Sequence, residues 1–276
     1  MIGKVQQQTN STSLENTENL KLSIQFSLDG FSFCISENTS KKIVYFYEYS
    51  FDKEVTTPEI LLAKIKEIFK KDTHLQYDFS SVFVIHQNDL STLVPKKYFD
   101  KNILKDYLSY TVKTLASDFI AFDDVKLLQA KNVYIPYINI NNYLFQNFGE
   151  FEYTHHLTVL IEKLIAQNNS EEIKMYVHVS KNSFDIVVLK GKHLLLSNTF
   201  SFSSKEDFVY YILFTAEQLN LDRDTFQLFF LGTLQRQSKT FRLVYKYIRN
   251  IDFLESKNPI FNTLEQPKHS HYILLG

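Results

Sequence analysis

The stretch LSIQFSLDGFSFCIS, Leu22–Ser36, decides how the first part of the chain folds. Every second residue on each side of Asp29-Gly30 is apolar: Leu22, Ile24 and Phe26 before it, and Phe31, Phe33 and Ile35 after it. Alternation with a period of two is typical of β-strands. A central Asp-Gly favours a two-residue turn with positive φ. The stretch therefore predicts a β-hairpin with Asp29-Gly30 as its turn.

The same order of elements occurs twice along the chain. The first block continues with a predicted strand at Ile43–Tyr49, a helix that begins with Thr57 and Pro58, and a buried strand at Ser81–His86. The second block has strands at Met175–Ser180, Ser183–Lys190 and His193–Phe200, a helix that begins with a capping-box arrangement, and a strand at Phe226–Gly232. The residues of that arrangement are Ser203, Ser204, Glu206 and Asp207. Two copies of three antiparallel strands, a helix and a strand predict an α/β protein with mixed sheets, built as two lobes across a cleft.

The remaining pattern predicts three regions with different roles. We expect a disordered N-terminal tail over residues 1–19, a first lobe with an insertion over 20–170, and a second lobe over 171–276. The insertion contains a predicted helix at 99–112 and two short strands at 125–137, and a helix at 155–169 leads into the second lobe. A helix at 239–247 and a strand at 251–254 are predicted to follow.

Composition excludes several classes of function. The 276 residues carry a net charge of −1 with no basic block, which argues against a nucleic-acid partner. The N-terminus lacks the apolar run of a signal peptide, and no stretch is long and apolar enough to insert in a membrane. The single cysteine, Cys34, lies in a predicted strand and is interpreted as a buried hydrophobic residue. These features predict a cytoplasmic protein.

The duplicated pattern resembles the actin-like, or ribonuclease H-like, ATPase superfamily. More narrowly, the chain resembles an uncharacterised Bacteroidetes family of actin-like fold, with distant similarity to the PilM-type scaffolds of pilus assembly. The resemblance rests on Leu22–Ser36, on VPKKYFD at Val94–Asp100 and on MYVHVSKNSFDIVVLKGKHLLLS at Met175–Ser197. It implies a duplicated actin-like fold. In the ATPases of this superfamily, each hairpin carries an Asp that positions Mg²⁺ or water and a Gly that lets backbone N–H groups approach phosphate.

The first hairpin does not match this phosphate-binding pattern of Asp-x-Gly-Ser/Thr. If Gly30 takes the Gly position, Leu28 falls on the Asp position. If Asp29 takes the Asp position, Phe31 falls on the Gly position. Neither alignment retains both residues, so the hairpin is interpreted as a turn only.

The second hairpin and the adenosine turn also depart from the pattern. The turn Ser180–Ser183 contains neither Asp nor Gly, Lys181 is its one cation, and Asp185 lies beyond it in the returning strand. The turn that the resemblance assigns to adenosine has Gly232 followed by Thr233, where a Gly-Gly pair is expected. We therefore assign no catalytic and no cofactor-binding residue, expect no cofactor, and interpret the chain as a non-enzyme with degenerate nucleotide-binding motifs.

The histidines do not predict a metal site. His155 and His156 are adjacent, so their side chains point apart, and we expect one of them to be exposed. His269 and His271 are interpreted as tail residues, because no cysteine or carboxylate pair accompanies them. We assign no metal-binding residue.

The leading hypothesis is a non-catalytic cytoplasmic scaffold or adaptor that binds a protein partner. The alternatives are a nucleotide-binding switch or weak ATPase that uses the cleft between the lobes, and a small-molecule sensor whose cleft is reshaped by aromatic residues. Two aromatic stretches, Tyr45–Phe51 and Phe208–Phe214, are interpreted first as core residues, and a protein interface, either with a partner or in a homodimer, is a further hypothesis for them.

Overall fold

The computed structural model describes residues 2–7, 19–51 and 55–276. The strands are β1 (Ile2–Gln7), β2 (Leu20–Ser27), β3 (Gly30–Glu37), β4 (Ile43–Phe51), β5 (Ser81–His86), β6 (Ser91–Pro95), β7 (Ala121–Val125), β8 (Ala130–Tyr134), β9 (Glu152–His155), β10 (Ile173–Val179), β11 (Ser183–Lys190), β12 (His193–Ser201), β13 (Gln227–Gly232) and β14 (Asn250–Phe253). The helices are α1 (Pro58–Lys71), α2 (Leu104–Leu108), α3 (Ile138–Phe148), α4 (His156–Gln167), α5 (Lys205–Gln218), α6 (Lys239–Val244) and α7 (Tyr272–Leu275).

The strands form two large mixed sheets and one small sheet. The first sheet has the order β1-β4-β3-β2-β5-β9, the second β12-β11-β10-β13-β14, and the small one β6-β8-β7. In both large sheets the hairpin strands pair antiparallel, whereas β2 with β5 and β10 with β13 pair parallel. The run β4-β3-β2-β5 therefore corresponds to β12-β11-β10-β13, which confirms the predicted α/β class and the duplication.

One face of each large sheet is covered by the helix that was predicted in the same sequence block as the strands of that sheet. Leu61, Ile65 and Ile68 of α1 pack on the first sheet, and Phe208 and Ile212 of α5 pack on the second. Helix α4 lies between the sheets, and its apolar residues share one hydrophobic core with Ile85 of β5 and Val187 of β11. Because apolar residues on α4 pack toward both sheets, this helix positions the two lobes relative to each other.

The N-terminus of α5 is stabilised by the predicted capping box. The Ser204 hydroxyl accepts a hydrogen bond from the Asp207 N–H at 3.1 Å, and the Asp207 carboxylate accepts one from the Ser204 N–H at 3.0 Å. We expect Ser204→Ala to lower the free energy of unfolding by about 1 kcal/mol, measured by urea denaturation. The matched control is Ser203→Ala next to it. An equal loss in both variants would contradict the capping role.

The turn of the first hairpin lies one residue earlier than predicted. Ser27 pairs with Gly30, so the turn residues are Leu28 and Asp29, and Gly30 is already in β3. The described residues with positive φ do not include these turn residues or Gly30, so the predicted positive-φ Asp-Gly turn is wrong. Gly30 is needed for space instead, since a Cβ there would lie 2.8 Å from the carbonyl oxygen of Tyr49 in β4.

The insertion contains less helix than predicted. The helix expected at 99–112 is wrong: it is reduced to α2, preceded by a short 3-10 turn at Lys96–Tyr98. The Asp100 carboxylate accepts hydrogen bonds from the Asn102 N–H and side chain, and this local turn competes with a helix. The hairpin expected at 125–137 begins a few residues earlier, as β7 and β8.

The two ends of the chain differ from the expectation of a tail. β1 pairs antiparallel with β4, where the sequence predicts disorder, because the edge strand β4 presents unpaired backbone groups. Residues 1 and 8–18 of the predicted tail lie outside the described residues. At the other end, Ile260, Phe261 and Leu275 pack against Cys34 and Phe46 of the first sheet, which confirms that Cys34 is buried. Among the described residues no helix is both long and apolar enough to cross a bilayer.

Candidate functional site

The tips of the two hairpins meet in the cleft between the lobes. The carboxylate of Asp29, in the β2–β3 turn, accepts a hydrogen bond from the backbone N–H of Lys181, in the β10–β11 turn, at 3.3 Å. Asp29 is held in place because its own N–H donates to the Ser27 hydroxyl at 3.1 Å. The two lobes are therefore joined at the position where the resemblance implies a nucleotide phosphate.

A second bridge runs beside the first. The Gln25 side-chain amide donates to the Gln87 side-chain oxygen, Oε1, at 2.6 Å, and the Gln87 side-chain nitrogen, Nε2, donates to the Ser180 hydroxyl at 2.8 Å. Gln25 lies near the end of β2, Gln87 directly follows β5, and Ser180 directly follows β10. Residues at the ends of three strands are thus joined by a continuous series of hydrogen bonds across the cleft.

These bridges divide the cleft into two cavities that share one wall. The wall is formed by Ser27, Asp29, Gln87, Ser180 and Lys181, which line both cavities. One cavity, of about 330 Å³, is lined by His156 at the start of α4, and we call it the α4 cavity. The other, of about 590 Å³, is lined by residues 265–267 and 269–271, and we call it the C-terminal cavity.

Asp29 gives the shared wall an anionic group. Burial raises the pKa of the Asp29 carboxyl above its ordinary value, while the backbone N–H and the positive charge of Lys181 act in the opposite direction. Asp89 and Asp185 also line the α4 cavity. A phosphate placed here would meet carboxylates rather than free backbone donors, which is unfavourable for an anion.

Gly232 permits a close backbone approach at the end of β13. Its φ is +89°, and a Cβ there would lie 2.2 Å from the carbonyl oxygen of Val179. Its N–H donates to the His269 carbonyl at 2.8 Å, and the next N–H, of Thr233, donates to the Val179 carbonyl at 2.8 Å. Both N–H groups of the turn that the resemblance assigns to adenosine are therefore bonded within the chain.

The C-terminal segment links the lobes, so its interpretation as a tail is wrong. The Glu48 carboxylate of the first sheet lies 3.3 Å from His271 Nε2 and accepts from the Gln266 amide at 3.0 Å. Burial opposes the charge of Glu48, but His271 and Gln266 outweigh it, so the pKa of Glu48 lies below its ordinary value. His269 packs on the other lobe, with Nε2 at 2.9 Å from the Leu234 carbonyl.

A buried cluster around Asp185 lines the α4 cavity. The Asp185 carboxylate lies 3.0 Å from His156 Nε2 and 3.0 Å from His178 Nδ1, and it accepts from the Thr199 hydroxyl at 2.7 Å. Burial alone would raise the pKa of Asp185, but the two histidines outweigh it and hold that pKa well below its usual range. The cluster joins α4, β10, β11 and β12, so sequence spacing gave no signal for it.

The neighbouring histidines, His155 and His156, are both buried. His156 reaches Asp185, whereas His155 Nδ1 lies 3.1 Å from the Asn132 amide and its Nε2 lies 3.1 Å from the Asn88 carbonyl. The expectation that the two side chains point apart is wrong, since their ring centroids lie 4.4 Å apart, and the expectation that one is exposed is wrong as well. The cause is the position of α4 between two sheets, which leaves the start of the helix no contact with solvent.

The side chains near the ends of the central strands are not carboxylates. Gln25 of β2 and His178 of β10 both line the C-terminal cavity. Within the described part of the chain, no group of three histidine, cysteine or acidic residues is arranged to hold a metal ion. The wall shared by the two cavities offers hydrogen-bonding groups.

Sequence comparison places the chain in a family. The model of the family described as protein of unknown function (DUF3822) matches residues 8–251. The chain belongs to the DUF3822 family. None of the curated proteins matches this DUF3822 protein in sequence.

Solved structures show the fold of the DUF3822 protein. A protein of unknown function with actin-like ATPase fold from Bacteroides thetaiotaomicron VPI-5482 is 22% identical, with a TM-score of 0.81, and the match covers 89% of this chain and 94% of that one. The PilM-PilN type IV pilus biogenesis complex matches at 10% identity and a TM-score of 0.60, over 85% of this chain and 88% of that one. The DUF3822 protein therefore has the actin-like ATPase fold, and the distant similarity to PilM is one of fold.

Proposed function

We propose that this DUF3822 protein is a non-catalytic, cytoplasmic scaffold or adaptor that binds a protein partner. The observation that carries the proposal is the direct bond between the hairpin tips, from the Lys181 N–H to the Asp29 carboxylate. A nucleotide phosphate at this place needs free backbone donors, and the chain has already supplied an anion of its own.

The rest of the cleft supports the same conclusion. The Ser180–Ser183 turn contains no acid to position Mg²⁺ or water, and the Gly232 N–H is bonded to the C-terminal segment. With the lobes joined through Asp29, Gln87 and the C-terminal segment, the fold acts as a fixed platform. In this proposal residues 20–170 and 171–276 are the two lobes of that platform.

A protein is the best-supported class of partner. The net charge of −1 gives no general attraction to nucleic acid. The PilM fold neighbour was solved in a complex with PilN, so this fold can support a protein interface. We extend that property to the DUF3822 protein as part of the proposal.

Affinity purification tests the scaffold role. The tagged full chain, cross-linked in the host that encodes it, is expected to retain the same stoichiometric protein partner in independent preparations. The purified chain is expected to release no phosphate from ATP above the buffer rate. Absence of any reproducible partner, or ATP turnover that scales with protein concentration, would overturn the proposal.

One observation favours the alternative of a nucleotide-binding switch. The C-terminal cavity of about 590 Å³ lies beside Gly232 and Thr233 and contacts both lobes. In that alternative, ATP binding would separate residues 265–271 from the lobes without hydrolysis. The titration at the end of the Discussion distinguishes the two functions.

A further inference from the structure

The second sheet ends in a long open strand. β12 has nine residues, and no strand of the described residues pairs with its outer side. In the first sheet the corresponding strand, β4, is covered by β1 in antiparallel pairing. An edge strand presents a row of unpaired N–H and C=O groups that favours the addition of another strand. The part of the chain that the structure describes thus covers this edge in one lobe and leaves it open in the other.

The open edge has few of the features that protect edge strands from pairing. Leu194–Ser201 contains no charged residue and no proline, and its one irregularity is the bulge opposite Val188 and Leu189. The Thr199 N–H is bonded only locally, to the Asn198 side-chain oxygen at 3.0 Å. An incoming strand can take the place of that side chain.

An exposed aromatic surface adjoins the open edge. Tyr210 and Phe214 on α5 are 58% and 43% exposed, and their rings stack at 5.8 Å. Tyr210 contacts Tyr211, which in turn stacks on Phe200 of β12 at 4.7 Å. This surface belongs to the aromatic stretch that the sequence associates with an interface, and a strand added to β12 would lie beside it.

The residue at the middle of β12 indicates which strand can pair with the open edge. Ser197 is the central residue of His193–Ser201, and its hydroxyl is buried without a hydrogen-bond partner. Antiparallel pairing of β12 with its own copy places Ser197 opposite Ser197, with both hydroxyls on one face of the sheet and each able to donate and accept. The uncharged sequence also brings no like charges together in this arrangement.

We propose that two copies of the chain pair through β12 across a two-fold axis near Ser197. The two second sheets then form one continuous sheet, and the surfaces of Tyr210 and Phe214 are covered at the interface. Such an isologous contact closes after two copies, so it produces a dimer and not a filament.

Light scattering after size-exclusion chromatography tests the dimer. The full chain is expected at twice its mass of 32.5 kDa, and Leu195→Lys, which places a charge on the 41%-exposed edge residue, at the single-chain mass. The matched control is Leu127→Lys, at a 50%-exposed leucine in the turn between β7 and β8, which is expected to remain dimeric. Thermal melting checks that both variants fold.

A cysteine at the axis tests the pairing itself. Cα atoms in a hydrogen-bonded antiparallel pair are about 5.5 Å apart, within the range that a disulfide spans. Oxidised Ser197→Cys is expected to run as a covalent dimer, and Leu127→Cys as a monomer, since Cys34 is buried. The proposal would be overturned by a single-chain mass for the wild type, by a dimeric Leu195→Lys variant, or by equal cross-linking of both cysteine variants. A monomeric wild type would mean that the open edge is available to a strand of another protein.

Discussion

Asp185→Asn is expected to lower the free energy of unfolding by about 3–5 kcal/mol, because removing one partner of a buried charged cluster leaves the others unpaired. Asp185 is 3% exposed, and its carboxylate contacts His156, His178 and Thr199. Asparagine keeps the volume but removes the negative charge and replaces one acceptor with a donor. The effect concerns the whole chain, since the cluster joins α4 to the second sheet.

Urea denaturation of matched variants measures this loss. The control is Asp224→Asn, whose carboxylate pairs with Arg249 at 3.3 Å and is 75% exposed, so the expected change is below about 1 kcal/mol. If Asp185→Asn unfolds at the same urea concentration as this control, the Asp185 cluster does not stabilise the junction of the lobes.

Acidification from pH 6.5 to pH 4 is expected to remove about 3 kcal/mol of stability through His86, since one pKa unit corresponds to about 1.4 kcal/mol. Burial lowers the pKa of His86 to about 4, against the Asn141 hydrogen bond, which raises it. The unfolded chain binds the proton near pH 6.5, so it takes up more protons than the folded chain in this window. Stability is therefore complete above pH 6.5 and is lost as the pH falls toward 4.

The hydrogen bonds of His86 explain why its neutral form is preferred. Nε2 lies 2.9 Å from the Asn141 side-chain oxygen, and Nδ1 accepts from the Tyr137 N–H at 3.3 Å. A proton on Nδ1 would face another donor. Burial lowers the pKa of His155 as well, so His155 also contributes to the loss of stability as the pH falls.

Stability measured against pH in variants isolates this contribution. His86→Gln is expected to be less stable at pH 7 but to lose less stability between pH 6.5 and 4 than the wild type. His193→Gln, at the exposed start of β12, is expected to keep the wild-type slope. An unchanged slope in His86→Gln would show that His86 does not carry the acid sensitivity.

Local pattern predicted the elements of the fold where the residues near each other in sequence determine the structure. The hairpin alternation, the Thr57 cap of α1 and the capping box of α5 each act within a few residues, and each is present. The helix expected at 99–112 failed because side chain to backbone bonds around Asp100 compete with helical ones. Pairing of β1 with β4 depends on contacts far apart in sequence, which periodicity does not report.

The candidate site was predictable only in part, for the same reason. The sequence alone shows that Asp-x-Gly is absent from both hairpins. The hydrogen bond from Lys181 to Asp29 could not be predicted in this way, because it joins residues 152 positions apart. The Asp185 cluster combines residues from four elements, and none of them has a motif around it. His269 and His271 read as a tail because their contacts, Leu234 and Glu48, lie in different lobes.

We propose that the chain's own side chains close the cleft, so that it takes no nucleotide. Isothermal titration calorimetry of the full chain with ATP and with a non-hydrolysable analogue, each with Mg²⁺, tests it most directly. We predict no saturable heat at nucleotide concentrations up to about 1 mM. This result would mean that nucleotide binds with a free energy weaker than about −4 kcal/mol. Saturable binding at micromolar concentration would contradict the claim, because it requires the Asp29–Lys181 contact to open and phosphate to take its place.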